Sequence, residues 1–323
     1  MNLITGVAGF IGYHLCLKLL DRGEIVVGID NLNDYYNVQL KKDRIEQIKK
    51  RDDFYFSEQD ICDLYGLQNL FEKYPIKRVC HLAAQVGVRY SLNHPEKFQR
   101  SNVEGFLNLL ECVKNRRLEN LIYASSSSVY GANNKIPFSE SDRVDFPISF
   151  YGATKRSNEL MAYTYHHLYQ IPLTGLRFFT VYGPWMRPDM ALFLFTQKIL
   201  AGEAIDVYGH GKMKRNFTYI DDIVQGILLA LDKPQDCVIY NIGNDCTEEL
   251  ERYIDILEQC LGIKAKRNYF PQQPGDMKET WADLQSIRRD LGYQPTTDIE
   301  TGVDRFVNWY KNYYKIGSSS SSA

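Results

Sequence analysis

Gly6-Val7-Ala8-Gly9-Phe10-Ile11-Gly12 follows the apolar run Asn2-Leu3-Ile4-Thr5 and opens a stretch with helical periodicity over residues 10–22. Glycines at this spacing let a backbone turn tightly and approach a pyrophosphate with no Cβ in the way. The helix that follows offers the anion its free N–H groups and the positive end of its dipole. A glycine pattern alone is weak evidence, but here a strand precedes it, a helix follows, and Asp30 closes the next β-rich run. A carboxylate there accepts the hydroxyls of a ribose and repels a 2′-phosphate, and the nearest basic residues beyond it are Lys41 and Lys42. The expected ligand is therefore NAD rather than NADP, held by Gly6, Gly9, Phe10, Ile11, Gly12, Asp30 and Asn31. Asp60 and Ile61 stand where adenine would lie, and Leu82, Ala83 and Ala84 end a strand near the pyrophosphate. His81, just before them, reads as a core histidine.

Outward from this loop, β-rich runs over residues 2–5, 25–30, 54–57, 78–83, 121–125 and 173–179 alternate with helical patterns near 10–22, 37–51, 63–73, 96–115 and 150–169. Such alternation predicts an α/β fold, a Rossmann-type doubly wound parallel sheet with helices on both faces. Past about residue 180, prolines and glycines such as Pro184, Pro188, Gly209, Gly211, Pro274 and Gly275 break the pattern, which predicts a smaller α+β substrate-binding lobe over the crevice. The expected division is a dinucleotide-binding domain over 1–175, with a returning segment near 217–245, and a lobe mainly over 176–316 closed by a helix at 299–314. The tail 317–323 is nearly all serine and reads as a disordered end or an expression remnant.

The composition excludes several classes. A formal net charge of −2 gives no electrostatic case for nucleic acid or an anionic membrane as partner. The densest basic stretch, Lys41 to Arg51, is interleaved with Asp43 and Glu46 and reads as a solvated helix face. Seven scattered cysteines form no C-x-x-C pair and no metal-ligand spacing, so no metal is expected and a reducing compartment is favoured. No apolar run approaches the length of a membrane span, and the N-terminus lacks the basic region of a signal peptide. A cytoplasmic location follows as the expectation.

The chemistry is carried by Ser126, Tyr151 and Lys155. Tyr151-Gly152-Ala153-Thr154-Lys155 sets a phenol and an ammonium four residues apart, on one face of a helix. A phenol titrates near pH 10, too high for a base at neutral pH. Bringing it to about 7 takes roughly 4 kcal/mol of differential stabilisation. Lys155 and the positive nicotinamide together could supply that, with Lys155 also holding the nicotinamide ribose. Ser126, in the strand-ending run Ala124 to Gly131, can bridge a substrate hydroxyl to the phenol. Tyr-x-x-x-Lys in isolation usually means a surface pair; its coincidence with the serine run and the glycine loop points to proton transfer beside a dinucleotide.

These motifs together resemble the extended short-chain dehydrogenases/reductases, and within them the nucleotide-sugar 4-epimerases, over nearly all of residues 1–315. The resemblance rests on the glycine loop, Asp30, Asp60-Ile61, the 81–84 strand end, Asn102, Ser126, Tyr151/Lys155, Arg215-Asn216-Phe217 and Pro274-Gly275-Asp276. It implies a tightly held NAD that is not consumed, to which Asn102 contributes. Tyr151 would take the 4-hydroxyl proton while the C4 hydride leaves, and hydride would return to the other face of a 4-keto sugar. Arg215 would contact the diphosphate and Asp276 the nucleotide's ribose; Gln273 stands where hexose epimerases carry an arginine. A homodimer paired through the helices near 96–115 and 150–169 is implied as well.

The block Arg177 to Ala191, with Ser125–Gly131 and Lys212–Arg215, resembles UDP-glucuronate 4-epimerases more narrowly. Hexose epimerases usually carry asparagine where Thr180 stands. A uronate brings a carboxylate that wants donors, and Ser127, Ser128, Thr180 and Arg187 are the candidates. The rival is decarboxylation, because a 4-keto uronate is a β-keto acid. In the family, decarboxylases place an acid beside the catalytic hydroxyl and dehydratases an Asp-Glu pair, where this chain has Ser127 and Ser128. Reversible epimerisation of UDP-glucuronate to UDP-galacturonate is therefore the expectation. A hexose epimerase, and more remotely a silent NAD-binding regulatory protein, stand as alternatives.

Overall fold

The computed structural model describes residues 1–273 and 276–316. Its first half alternates as the periodicity predicts: β1 (Asn2–Thr5), α1 (Phe10–Asp21), β2 (Val26–Asp30), α2 (Val38–Ile48), β3 (Phe54–Glu58), α3 (Leu64–Lys73) and β4 (Arg78–His81). Two short helices, α4 (Val88–Asn93) and α5 (Pro95–Phe98), then lead through a π-helical turn at Gln99–Glu104 into α6 (Gly105–Val113). β5 (Asn120–Ser126), α7 (Phe150–Tyr169) and β6 (Leu173–Phe178) complete this half.

Beyond it come β7 (Thr180–Tyr182), α8 (Ala191–Leu200), β8 (Ala204–Tyr208), β9 (Lys214–Arg215), β10 (Phe217–Tyr219), α9 (Ile220–Asp232) and β11 (Cys237–Ile242). β12 (Glu248–Glu249), α10 (Leu250–Leu261), β13 (Lys266–Phe270), α11 (Gln285–Leu291) and α12 (Ile299–Tyr313) follow. β11 returns to the main sheet, whose order is β11-β6-β5-β4-β1-β2-β3. Every pairing in it is parallel. This is the expected Rossmann-type doubly wound sheet. The strand order reverses between β1 and β4, so a crevice opens there at the carboxyl ends of the strands.

Strands covered on both faces must be apolar throughout, and every residue of β1, β2 and β6 is buried. One apolar cluster fills the face under α3, α6 and α7 with Leu67, Leu70, Phe106, Leu109 and Ala162. The other runs from Leu15, Ile45 and Ile227 on into the second lobe at Ile254 and Phe306. Among the described residues no helix is long and apolar enough to cross a membrane.

The basic stretch of α2 departs from expectation. Lys42, Lys49 and Lys50 are exposed, but Lys41 is only 5% exposed and Arg44 not at all. Composition reads this stretch as a solvated face; in the structure the helix turns one basic edge inward, against the glycine loop. The expected helix over 96–115 is present as an unbroken helical run over 95–113, but its winding changes to π-helical at Gln99–Glu104. Asn102 turns in from that π-helical stretch, its side chain bonded to the backbone of Gln85 in both directions at 2.7 and 3.0 Å.

Beneath the site lies a buried polar network. Arg177 on β6 donates to both oxygens of Glu159 on α7 at 2.8 and 2.9 Å, and Ser125 donates to the same carboxylate at 2.6 Å. Arg177 also donates to the Tyr130 hydroxyl at 3.0 Å, which in turn donates to Asn241 on β11 at 2.6 Å. α7, β5, β6 and β11 are thereby locked in register around the serine run.

Candidate active site

The glycine loop is shaped from β1 and β2. Gly6 and Val7 donate to the Ile29 carbonyl at 2.8 and 3.2 Å, and Gly9 donates back to Gly6 at 2.9 Å. Gly6 has φ +75°, and a Cβ there would meet the Ala83 nitrogen at 2.7 Å, so only glycine fits between β1 and the 82–84 strand end. α1 begins at Phe10 with no side chain capping its first N–H groups. An uncapped helix start behind a cradle without side chains is what a pyrophosphate requires.

A cavity of about 360 Å³ opens on this loop. Its walls take in Gly6, Gly9, Phe10, Ile11 and Gly12, then Asp30, Asn31 and Ile61, then Leu82, Ala83 and Ala84. At its far end stand Ser126, Ser127, Ser128, Tyr151, Lys155, Thr180 and Arg187. Residues up to 181 positions apart in the chain thus share one crevice. An adjoining recess brings Arg215 and Asp276 against Ser127, Ser128 and Thr180. Pro274 and Gly275, the other two members of the Pro-Gly-Asp motif, lie outside the described residues.

Asp30, expected at a ribose, stands on the cavity wall and has backbone partners as well. Its oxygens accept the N–H groups of Ala8 at 3.1 Å and Leu32 at 2.9 Å, so it also braces the glycine loop. Burial pushes its pKa up, against the pull of Lys41 and the two N–H groups. Lys41 lines the same cavity and donates to the Asn33 backbone and side-chain oxygens at 2.7 and 2.8 Å. This part of the cavity therefore presents a carboxylate with an ammonium nearby, not a bare carboxylate.

Two expected contacts are indirect. Asp60 is not on the cavity wall; it accepts from Asn31, which is, at 3.0 Å and from the Cys62 N–H at 2.8 Å. Asn102 is 1% exposed and spent on Gln85 and on the Thr154 hydroxyl at 3.0 Å, behind the wall. His81 is the core histidine expected, its Nδ1 2.8 Å from the Thr5 hydroxyl and its ring stacked on Phe106. Burial, helped by the Lys155 charge, lowers its pKa to about 3, so it stays neutral.

At the reacting end, Ser149 caps α7 by accepting from Gly152 at 3.0 Å, which places Tyr151 and Lys155 on the first turns. Lys155 donates to the Ala124 carbonyl on β5 at 2.9 Å, and burial lowers its pKa to about 8. Burial raises the Tyr151 pKa, opposed by a hydrogen bond with Ser126 and by the Arg187 charge. The side-chain cation that acts on the phenol is thus Arg187, a residue expected only at the sugar, rather than Lys155 as the sequence suggests. Ser126 also accepts from the Ser128 N–H at 3.1 Å.

Several residues of the site escape sequence reasoning. Arg187 Nη1 stands 3.2 Å from an Asp189 oxygen, and Asp189 accepts the Tyr35 hydroxyl at 3.0 Å. Arg89 pairs with Asp276 at 2.7 Å. His14 on α1 lies 2.9 Å from the Pro184 carbonyl. Among these, His14 lies near the glycine loop and Asp189 within the 177–191 block, while Tyr35 and Arg89 carry no sequence cue.

The arrangement can bind a dinucleotide along the strand ends and move a proton at its far end, beside hydroxyls and a guanidinium suited to an anion. Comparison with known proteins agrees. The family model described as GDP-mannose 4,6 dehydratase matches residues 3–306. Protein CapI of Staphylococcus aureus is 49% identical over 97% of this chain and 99% of its own length. UDP-glucuronate 4-epimerase 2 of Arabidopsis thaliana is 47% identical, covering 99% of this chain and 78% of that protein. The crystal structure of UDP-glucuronic acid 4-epimerase from Bacillus cereus, in complex with UDP-glucuronic acid and NAD, superposes with a TM-score of 0.91 at 36% identity, over 97% of this chain and 99% of that one. The chain belongs to the GDP-mannose 4,6-dehydratase family of extended short-chain dehydrogenases/reductases, in the company of its nucleotide-sugar epimerases.

Proposed function

We propose that this chain is an NAD-dependent isomerase that interconverts UDP-glucuronate and UDP-galacturonate by reversible epimerisation at C4. The observation that carries the reading is the far wall of the cavity, where Ser126, Tyr151 and Lys155 meet Ser127, Ser128, Thr180 and Arg187. The first three suit oxidation of a secondary alcohol; the rest supply hydroxyl donors and one fixed positive charge for a carboxylate.

The walls fit NAD: a Cβ-free cradle, an uncapped helix start, a ribose-facing carboxylate, and Lys155 at the opposite end. When bound, NAD supplies a reversible acceptor for the hydride at sugar C4. Tyr151 as phenolate takes the 4-hydroxyl proton and returns it after the sugar has presented its other face. Ser126 relays that proton and fixes the hydroxyl. Lys155, held by Ala124, would hold the ribose, while Arg187 brings positive charge to the phenol. Ser127 and Ser128 occupy positions where an acid would aid loss of CO₂ or water, and their hydroxyls are poor acids and bases, so the 4-keto sugar persists long enough to be reduced again.

The part that bears the main sheet, 1–175 with a returning segment near 217–245, would hold the cofactor. The lobe mainly over 176–316 would hold the sugar nucleotide, with Arg215 against the diphosphate and Asp276 against the second ribose. Apolar side chains on the outer faces of α6 and α7, among them Leu107, Leu160 and Tyr163, are exposed and suit pairing of two copies into a homodimer. Seven free cysteines fit a reducing, cytoplasmic setting.

Proton NMR of the purified protein with UDP-glucuronate and no added NAD tests the reading. A reversible mixture with UDP-galacturonate, free of CO₂ and pentose, is expected. A UDP-4-keto-pentose or UDP-xylose would make it a decarboxylase; turnover of UDP-glucose alone would make it a hexose epimerase.

A further inference from the structure

Arg44 takes no part in the chemistry above, yet it is completely buried and its three hydrogen-bond acceptors are all uncharged. A guanidinium in that position is expensive to desolvate, and an apolar side chain of equal volume would fill the space without that penalty. What the guanidinium provides is a rigid fork. One arm, Nη1, donates to the Ala8 carbonyl inside the glycine loop at 2.7 Å and to the Tyr36 hydroxyl at 2.8 Å. The other, Nη2, donates to the Trp185 carbonyl at 2.5 Å.

Both acceptors lie at sensitive points. Drawing on the Ala8 carbonyl polarises the Ala8–Gly9 peptide and strengthens the Gly9 to Gly6 bond that closes the cradle. Trp185 sits at φ +63°, in the left-handed region that a non-glycine residue holds only when its surroundings impose it. It lies two residues before Arg187, in the segment that His14 on α1 also grips through Pro184. The dinucleotide loop and the arginine-bearing segment are therefore fastened to one planar group from α2.

We propose that Arg44 is a positioning residue that couples occupancy of the glycine loop to the ordering of residues 183–190, so that binding of the dinucleotide sets the Arg187 guanidinium for the sugar. The inference rests on NAD as the dinucleotide, and only its kinetic arm rests on the uronate reading. A lysine in the same place could reach one carbonyl but not both, because it lacks the fork.

The test is hydrogen exchange of the protein stripped of NAD and reloaded with it, comparing wild type with Arg44→Met and Arg44→Lys. In wild type, NAD should slow exchange in peptides covering 6–12 and also in those covering 183–190. In Arg44→Met, NAD should still protect 6–12, while protection of 183–190 should fall by about fivefold or more, the low end of ordinary coupling between sites. Arg44→Lys should fold and show the same uncoupling, which decides the matter if the methionine variant does not fold. The kinetic arm expects KM for UDP-glucuronate to rise about tenfold in either variant with a smaller change in kcat. Full NAD-dependent protection of 183–190 in the folded variants would overturn the proposal, as would a wild type in which NAD leaves that segment unchanged. If wild type fails to turn over UDP-glucuronate, the function reading falls and the exchange result still decides this one.

Discussion

Tyr151 sits where burial and charge oppose each other: the dry site raises the phenol's pKa, while Ser126 and Arg187 pull it down. Tyr151→Phe removes the proton acceptor and little else, so kcat should fall by about 10² to 10⁴ while NAD content of the purified protein stays unchanged. Arg187→Ala should weaken binding of UDP-glucuronate by about tenfold or more, the worth of one charge-assisted contact, and spare UDP-glucose; equal losses in titrations with both sugars would remove the carboxylate assignment. Lys155 gives the clearest pH dependence. Its pKa falls from the ordinary 10.5 to about 8, so between these values the unfolded chain holds more protons than the folded one. The contribution of Lys155 to the stability of the NAD-free protein therefore rises with pH across that window, and below about pH 8 its ammonium is a standing penalty. Lys155→Met should accordingly raise NAD-free stability at pH 7 by up to about 3 kcal/mol, with the gain shrinking as pH approaches 10, as read from urea midpoints. The same substitution should abolish turnover. These residues were legible in the sequence because local spacing announces them: a glycine run between strand and helix, a phenol and an ammonium one helical turn apart. Arg44, Asp189 and His14 were not, because each acts on a partner at least 141 residues distant or on a backbone carbonyl, and neither leaves a spacing signal.

Among the elements, α7 combines the most roles. Its first turns present Tyr151 and Lys155, its middle buries Glu159 against Arg177, and its outer face leaves Leu160 and Tyr163 exposed. Its bounds are those the periodicity predicts, since Ser149 caps a long helix without internal proline. Helix 96–115 is different: the pattern of apolar residues predicts the helical run but not its π-helical winding at 99–104, where Asn102 bonds to Gln85, a tertiary contact that leaves no periodic signal. α2 misled for a related reason, because interleaved charges suggest solvent while Lys41 and Arg44 find carbonyl acceptors that composition cannot show. The loop between β2 and α2 forms a latch with the segment before α8, through Tyr35 and Asp189. Tyr35→Phe should release NAD about tenfold faster without altering the fold, as loss of one hydrogen bond to a charged group implies. Stopped-flow displacement of the cofactor measures this directly, and an unchanged release rate would show that the latch plays no part in retention.

At the scale of the whole molecule, the parallel sheet, its helices on both faces and the crevice at the β1/β4 reversal follow from the alternation of patterns, as expected. The architecture beyond β6 was less legible, since two-stranded pairings such as β9 with β12 and β8 with β13 join short segments with weak period-two signals. Pairing of two copies through α6 and α7 should appear as a dimer in light scattering, and Leu160→Asp with Tyr163→Asp should yield monomers; a monomeric wild type would refute the interface. The last helix reaches back to the site: Trp309 and Tyr313 of α12 pack on Trp185 with ring centroids 5.3 and 5.1 Å apart. Two of the chain's three tryptophans therefore face each other beside the segment that carries Arg187. Indole emission responds to packing and polarity, so a rearrangement of that segment should shift the protein's own fluorescence and give an optical gauge without any attached dye.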